Sequence, residues 1–159
     1  MNISYLSLGT NLGDRSKNLQ TALEEIREIG TISKKSSIYQ TEPEGFKDQD
    51  QFLNQVLRLE TELEAIELIV KLQEIEHRMG KNIEFKDGPR LIDIDIIFFN
   101  DQIIDHPNLK IPHPRATERN FILTPMKEIA PKYQNPHNQK SIEELLNKLT
   151  NPKKVEIWT

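Results

Sequence analysis

The chain has no cysteine among its 159 residues, which excludes disulfides and thiolate metal sites. Any metal it holds must use oxygen or imidazole ligands. No apolar run approaches 18 residues, so no transmembrane helix is expected. Met1-Asn2-Ile3-Ser4-Tyr5 lacks a basic region leading into a long apolar stretch, so no signal peptide is expected and the cytoplasm is the default location. There is no excess of positive charge: the formal net charge is −4, which argues against general nucleic-acid binding. Internal repeats and low-complexity segments are also missing. What remains is an ordinary soluble balance of 36% hydrophobic and 29% charged residues, long enough for one domain, residues 1–159, with a real core. The acids crowd residues 1–77, whereas residues 78–119 balance cations against acids.

That middle third contains the most unusual segment. Leu91-Ile92-Asp93-Ile94-Asp95-Ile96-Ile97-Phe98-Phe99 reads as a strand with two carboxylates in it. Alternation puts Asp93 and Asp95 on one face, about 7 Å apart, and Ile92, Ile94 and Ile96 on the other. Two carboxylates so placed repel, and Asp is disfavoured in strands. A hard divalent cation would remove the conflict. With Gly88-Pro89-Arg90 just upstream, the acid pair and a guanidinium suggest magnesium and phosphate. Taken alone, the pair is equally well explained as the solvated face of a half-buried strand.

The rest of the chain gives a consistent order. Ile3 to Leu8 is a strand, followed by Gly9-Thr10-Asn11-Leu12-Gly13. Asp14 or Ser16 caps a helix whose stripe is Leu19, Ala22, Leu23, Ile26 and Ile29, with Gly30 as its stop. Residues 31–40 read as a second strand, 41–50 as a loop, and Phe52 to Thr61 as a third strand. Ala65, Leu68, Leu72, Ile75 and Met79 mark a helix ended by Gly80, with a polar loop over 81–90. After the acid strand, Gln102–Ile104 is expected to pair back with it across the Asn100-Asp101 turn. Residues 105–117 are expected to be loop, Glu118 to Ile129 helix, Ile142 to Leu149 helix, and Val155 to Trp158 strand. The order β-α-β-β-α-β over residues 1–99 predicts an α+β, ferredoxin-like core: a largely antiparallel sheet, with helices on both faces after the C-terminal additions.

Four segments coincide: Gly9-Thr10-Asn11-Leu12-Gly13; Thr41-Glu42-Pro43 with Gly45; Gly88-Pro89-Arg90 with Asp93 and Asp95; and Ile111-Pro112-His113-Pro114-Arg115 followed by Glu118-Arg119, Phe121, Leu123, Pro125 and Glu128-Ile129-Ala130-Pro131. In order and length they resemble the 6-hydroxymethyl-7,8-dihydropterin pyrophosphokinases of folate biosynthesis. The resemblance implies transfer of diphosphate from ATP to the pterin hydroxymethyl group, releasing AMP, with two Mg²⁺ ions. Asp93 and Asp95 match the metal ligands, and positioning plus cations would do most of the chemistry. Asn54 matches the residue that hydrogen-bonds the pterin edge, and Phe52 and Phe121 match the aromatics that sandwich the ring. The main chain around Thr41, Pro43 and Glu44 would read the remaining pterin atoms. Gln73 and Glu76, three apart on one helix, match ATP-contacting positions. Arg90, Lys110, His113 and Arg119 match triphosphate or adenosine contacts, and Ile96 and Ile111 would border the adenine. Lys81 and Lys86 would bring point charges to the phosphates, with Arg90 completing the catalytic set.

The chain also departs from the family pattern. Residues 81–87 hold no arginine, Asp87 stands where an aromatic is usual, Pro114 where tyrosine is frequent, and Lys110 where threonine is frequent. On the residues alone, Phe52 and Phe121 also read as core, Gln73 and Glu76 as solvated helix surface, and His113 as a loop residue. The side chains of Glu42, Glu44, Lys34 and Lys35 read as solvated charge. Two rival functions follow. One is another magnesium enzyme, which would need a third acidic ligand for which Glu76 is the candidate. The other is a non-catalytic ligand-binding module, which would not need Asp93, Asp95, Arg90 and Arg119 together. A monomer is expected, with a dimer as the alternative.

Overall fold

A computed structural model describes residues 1–80, 88–150 and 152–159. The elements are β1 (Asn2–Thr10), α1 (Arg15–Ile26), β2 (Thr31–Lys35), β3 (Tyr39–Thr41), β4 (Phe52–Thr61), α2 (Ala65–Arg78), β5 (Asp93–Phe99), β6 (Ile104–His106), β7 (Leu109–Ile111), α3 (Asn120–Ile129), α4 (Ile142–Asn147) and β8 (Val155–Ile157). The main sheet runs β5-β1-β4-β3-β8, with β2 also on β4, and every pairing is antiparallel. This is the expected α+β, ferredoxin-like arrangement.

Alternation divides the side chains between two cores. Leu6, Leu8, Leu53, Leu57, Leu59, Ile94 and Ile96 face α1 and α2. Those helices present the predicted stripes, Leu19-Ala22-Leu23-Ile26 and Ala65-Leu68-Leu72-Ile75. Tyr5, Val56, Ile97 and Phe98 face the opposite way, toward Ile122, Leu123 and Met126 of α3 and Ile142 and Leu145 of α4. The second layer covers only part of its face. The uncovered part, near the Thr10 end of β1, becomes the cleft.

Several local expectations are corrected. α1 ends at Ile26, before Gly30. Gly30 is instead a close-packing position, because a Cβ there would stand 2.5 Å from the Glu60 carbonyl oxygen. Residues 31–40 form two strands, not one. Ser36 interrupts them, its hydroxyl accepting the Val56 N–H at 3.0 Å, and Glu128 of α3 takes the Ser37 N–H at 2.9 Å and the Tyr39 hydroxyl at 2.6 Å. Burial and this carboxylate push the Tyr39 hydroxyl up to about 12. Gln102–Ile104 does not pair with β5. The hairpin there is β6 with β7, a separate two-stranded sheet that starts at Ile104 and runs into the expected 105–117 loop. The outer rim of β5 is already engaged: the His113 N–H bonds the Ile97 carbonyl at 3.0 Å, and the Glu76 carboxylate accepts the Ile94 N–H at 2.8 Å. α3 starts at Asn120 after a short 3₁₀ turn over Ala116–Glu118.

Candidate active site

Sheet register builds the floor of the cleft. Asp93 of β5 is paired with Gly9 of β1, Gly9 with Asn54 of β4, and Asn54 with Tyr39 of β3. In the next row, Asp95 is paired with Ser7. Strand spacing sets the Asp93 and Asn54 backbones about 10 Å apart, and the residues between them on β1 are glycine and serine. A Cβ on Gly9 would stand 3.1 Å from Asn54 Oδ1 and 3.6 Å from Phe52 Cδ1. The bare backbone therefore leaves an open strip between the acid pair and the amide. A register shift at Tyr5/Leu6 lets both Ile97 and Phe98 turn toward α3, so the acids are followed by a hydrophobic plug, not by further polar residues.

Walls rise from β3, β4 and the start of α3. Ser7, Gly9, Thr41, Glu44, Phe52, Asn54, Arg90, Asp93, Asp95, Arg119 and Phe121 all border this one cleft. Phe52 and Phe121 are half-buried and border the cleft, and Phe121 also packs against the second core. Asn54 is 3% exposed, and its Nδ2 donates to Thr41 Oγ1 at 2.7 Å, fixing the amide's orientation. Arg90 Nε lies 3.7 Å from Asp93 Oδ2, and its Nη1 donates to the Gly88 carbonyl at 2.6 Å.

The Gly9–Gly13 run explains how that arginine is held. Asn11 Oδ1 accepts the Arg90 N–H at 2.7 Å, the Asn11 N–H donates to the Arg90 carbonyl at 2.9 Å, and Asn11 Nδ2 donates to Gln49 Oε1 and the Asp50 carbonyl at 2.9 Å each. Thr10 Oγ1 donates to the Leu91 carbonyl at 2.5 Å. One residue thus joins β1, the entry to the acid strand and the loop before β4. Sequence reading gave Asn11 no role, because its partners are 38 to 79 positions away.

His113 lies beside Arg119 and Arg115. Burial, then the Arg119 and Arg115 charges, hold its imidazole down at about 4. Its Nδ1 accepts the Arg115 N–H at 3.2 Å. The neutral ring therefore carries its proton on Nε2, where it can donate without being charged. Arg119 stacks over the Phe121 ring at 5.4 Å and pairs with Glu44 Oε2 at 3.2 Å, with Arg115 at 3.7 Å from the same oxygen. Glu44 is thus an ion-pair partner, not merely solvated charge. Lys34 also departs from that reading, its ammonium reaching the Ile129 carbonyl at 3.4 Å.

Other expected contacts fall outside the cleft. Gln73 is exposed on α2, while Glu76, three positions on, is buried against β5. The two do not share one solvated surface. Lys110 pairs with Asp105 across the β6–β7 hairpin at 2.5 Å. Ile96 and Ile111 are core side chains. Pro43 is buried, its carbonyl taken by the Lys47 ammonium at 2.6 Å. Lys81 and Lys86, with most of the polar loop expected over 81–90, lie outside the described residues.

The donor set fits magnesium. Two same-face carboxylates beside an arginine leave room for water and substrate oxygens, the usual coordination of that ion. Among the described residues, no group of three or more acidic or histidine side chains converges on a metal position. The rival enzyme with a third acidic ligand therefore lacks that ligand there.

Residues 5–131 match the profile of the family described as 7,8-dihydro-6-hydroxymethylpterin-pyrophosphokinase. The 2-amino-4-hydroxy-6-hydroxymethyldihydropteridine pyrophosphokinase of Bacillus subtilis is 38% identical over 159 residues, covering 99% of this chain and 90% of that protein. Its namesake from Aquifex aeolicus is 40% identical over 140 residues, covering 88% of each. The folic acid synthesis protein fol1 of Schizosaccharomyces pombe is 39% identical over 92% of this chain, which spans only 20% of that longer protein. Among solved structures, the Plasmodium falciparum HPPK-DHPS wild type with SDX-DHP superposes with a TM-score of 0.75 at 21% identity. It matches 93% of this chain and 43% of that one, a likeness that speaks to the fold alone. On the family profile and the two full-length bacterial relatives, the chain belongs to the 7,8-dihydro-6-hydroxymethylpterin pyrophosphokinase family.

Proposed function

We propose that the cleft holds the pterin between Phe52 and Phe121 with Asn54 at its edge, and ATP on the side of Arg90, Arg119 and His113. The observation that carries this reading is the row Asp93–Gly9–Asn54. An acid pair and an amide face each other across a bare strand, so a flat heterocycle at the amide would point its hydroxymethyl group at the acids. Thr41 holds the Asn54 carboxamide in one orientation. That makes the amide a selective reader, since a substrate lacking the matching groups would leave buried polar atoms unpaired.

Diphosphate transfer forms a bond between the pterin hydroxyl oxygen and the β-phosphorus and breaks the β-phosphorus bond to the leaving AMP oxygen. Asp93 and Asp95 would hold Mg²⁺, two ions by the resemblance, which when bound neutralises phosphate charge and orients the triphosphate. Arg90 supplies a fixed guanidinium beside Asp93, its main chain locked by Asn11. Neutral His113 offers a hydrogen bond from Nε2. Arg119 brings a second guanidinium from the start of α3. The protein's work in this scheme is positioning and charge compensation.

The test is nucleotide analysis after incubation with ATP, magnesium and the reduced pterin. AMP that appears only when the pterin is present supports the reading. Pterin-independent ADP or AMP sinks it.

A further inference from the structure

The cleft contains an acid in the midst of the cations that a triphosphate would need. Glu44 Oε2 meets Arg119 at 3.2 Å and Arg115 at 3.7 Å. The Arg119 side chain is 17% exposed, and its Nε is buried with no hydrogen-bond partner among the described residues. Glu44 therefore engages the guanidinium through one nitrogen and leaves another donor unused. A phosphate group, with three oxygens and more charge, is the better partner for such a fork.

Glu44 also belongs to a segment fixed at both ends. Thr41 is tied to Asn54, and Gln49 and Asp50 are tied to Asn11. Between these anchors, residues 44–48 are mostly exposed, and the ion pair to Arg119 and Arg115 joins the segment to the α3 side of the cleft. A second set of cations lies close by. Burial and the neighbouring Lys47 hold the Lys153 ammonium below the usual lysine range, while the Glu44 and Glu42 carboxylates pull the other way. A displaced Glu44 carboxylate thus remains among positive charges.

We propose that Glu44 is an internal anion that occupies Arg119 and Arg115 in the empty enzyme and is exchanged for a nucleotide phosphate. Nucleotide arrival then frees the segment 42–49 to rearrange. The inference rests on the reading of Arg119 as a nucleotide contact. It goes beyond that reading by giving the acid a role opposed to binding. The exchange has a definite sign: the carboxylate competes with the ligand, so removing its charge tightens nucleotide binding.

The test is calorimetric titration with magnesium and an α,β-methylene ATP analogue. Glu44→Gln should bind the analogue about two- to fivefold more tightly than the parent, the worth of a partly exposed ion pair. In an Arg119→Met background the same substitution should bring no gain. An equal gain in both backgrounds overturns the exchange, because Glu44 would then act only as diffuse negative potential. No gain in either, with Arg119→Met itself weakening the analogue, overturns the exchange and leaves the nucleotide reading standing. If Arg119→Met binds the analogue normally, the nucleotide reading fails and the exchange falls with it. Hydrogen exchange on the unmodified protein needs no variant: the analogue alone should speed exchange over residues 42–49. Unchanged or slower exchange there overturns the proposal.

Discussion

Replacing Asn11 by alanine is expected to loosen two sides of the cleft at once. The side chain is 2% exposed and makes three hydrogen bonds, one accepted from Arg90 and two donated to Gln49 and Asp50. Each such bond contributes about 0.5–1.5 kcal/mol, and the buried Arg90 N–H left behind adds a desolvation penalty. The open side toward residues 49–50 allows partial rehydration, so the expected loss is about 2–4 kcal/mol. At about 2–4 °C per kcal/mol for a chain of this size, the midpoint should fall by about 5–15 °C. Asn11→Asp separates the two sides. It keeps an acceptor for the Arg90 N–H but sets a carboxylate against the Asp50 carbonyl. The aspartate variant should therefore retain nucleotide affinity and lose pterin affinity, whereas alanine loses both. Thermal unfolding with calorimetry on each ligand measures this. A loss under about 1 kcal/mol for alanine, or the same ligand profile for both variants, would refute the reasoning.

Asp95→Ala should abolish turnover while the thermal midpoint holds or rises slightly, because it would remove a proposed metal ligand and a like-charge repulsion together; near-normal turnover would sink the metal assignment. Gly9→Ala places a methyl 3.1 Å from Asn54 Oδ1; pterin affinity should fall at least about tenfold, roughly 1.4 kcal/mol, with nucleotide affinity kept, and equal losses for both ligands would mean a folding defect instead. The third expectation concerns pH. His113 titrates at about 4 in the folded chain against 6.5 unfolded, so the unfolded state takes up a proton first and stability falls as pH drops from about 6.5 to 4. The full difference is about 3 kcal/mol, and solvent screening reduces it to about 2 kcal/mol. Urea midpoints at pH 7 and 4.5 should show that slope in the parent and lose most of it in His113→Gln, and an unchanged slope would assign it to other groups.

The fold was legible because its signals are periodic. The stripes Leu19–Ile26 on α1 and Ala65–Ile75 on α2 and the alternation from Ile92 to Ile96 recur at helical and strand spacing, and these parts survive into the structure. The acid pair was legible because carboxylates in an apolar strand conflict with that environment. Residues that act across long separations were not legible. Asn11, Glu128 and Glu44 look like ordinary polar residues in turns or on a helix, and their partners are set by tertiary approach alone. The solvated-surface reading of Glu76 failed for a related reason. Three-apart spacing puts two side chains near each other on a helix, but it does not say that one lies at the rim and the other over a strand. The break at Ser36 was missed because a hydroxyl standing in for a backbone partner leaves no trace in the apolar pattern.

The placement of β5 has a consequence for how the protein coexists with copies of itself. The acid strand is the outermost strand of the main sheet, and most of its side chains are apolar. A bare rim on such a strand would be a template for pairing with another chain. Two of its outward backbone groups are already engaged, the Ile94 N–H by Glu76 and the Ile97 carbonyl by the His113 N–H. The strand whose face lines the cleft is thereby partly closed along its rim. Loss of the Glu76 carboxylate would expose a donor on an Ile-rich edge, and the first symptom would be aggregation during expression or heating, ahead of any change in ligand affinity.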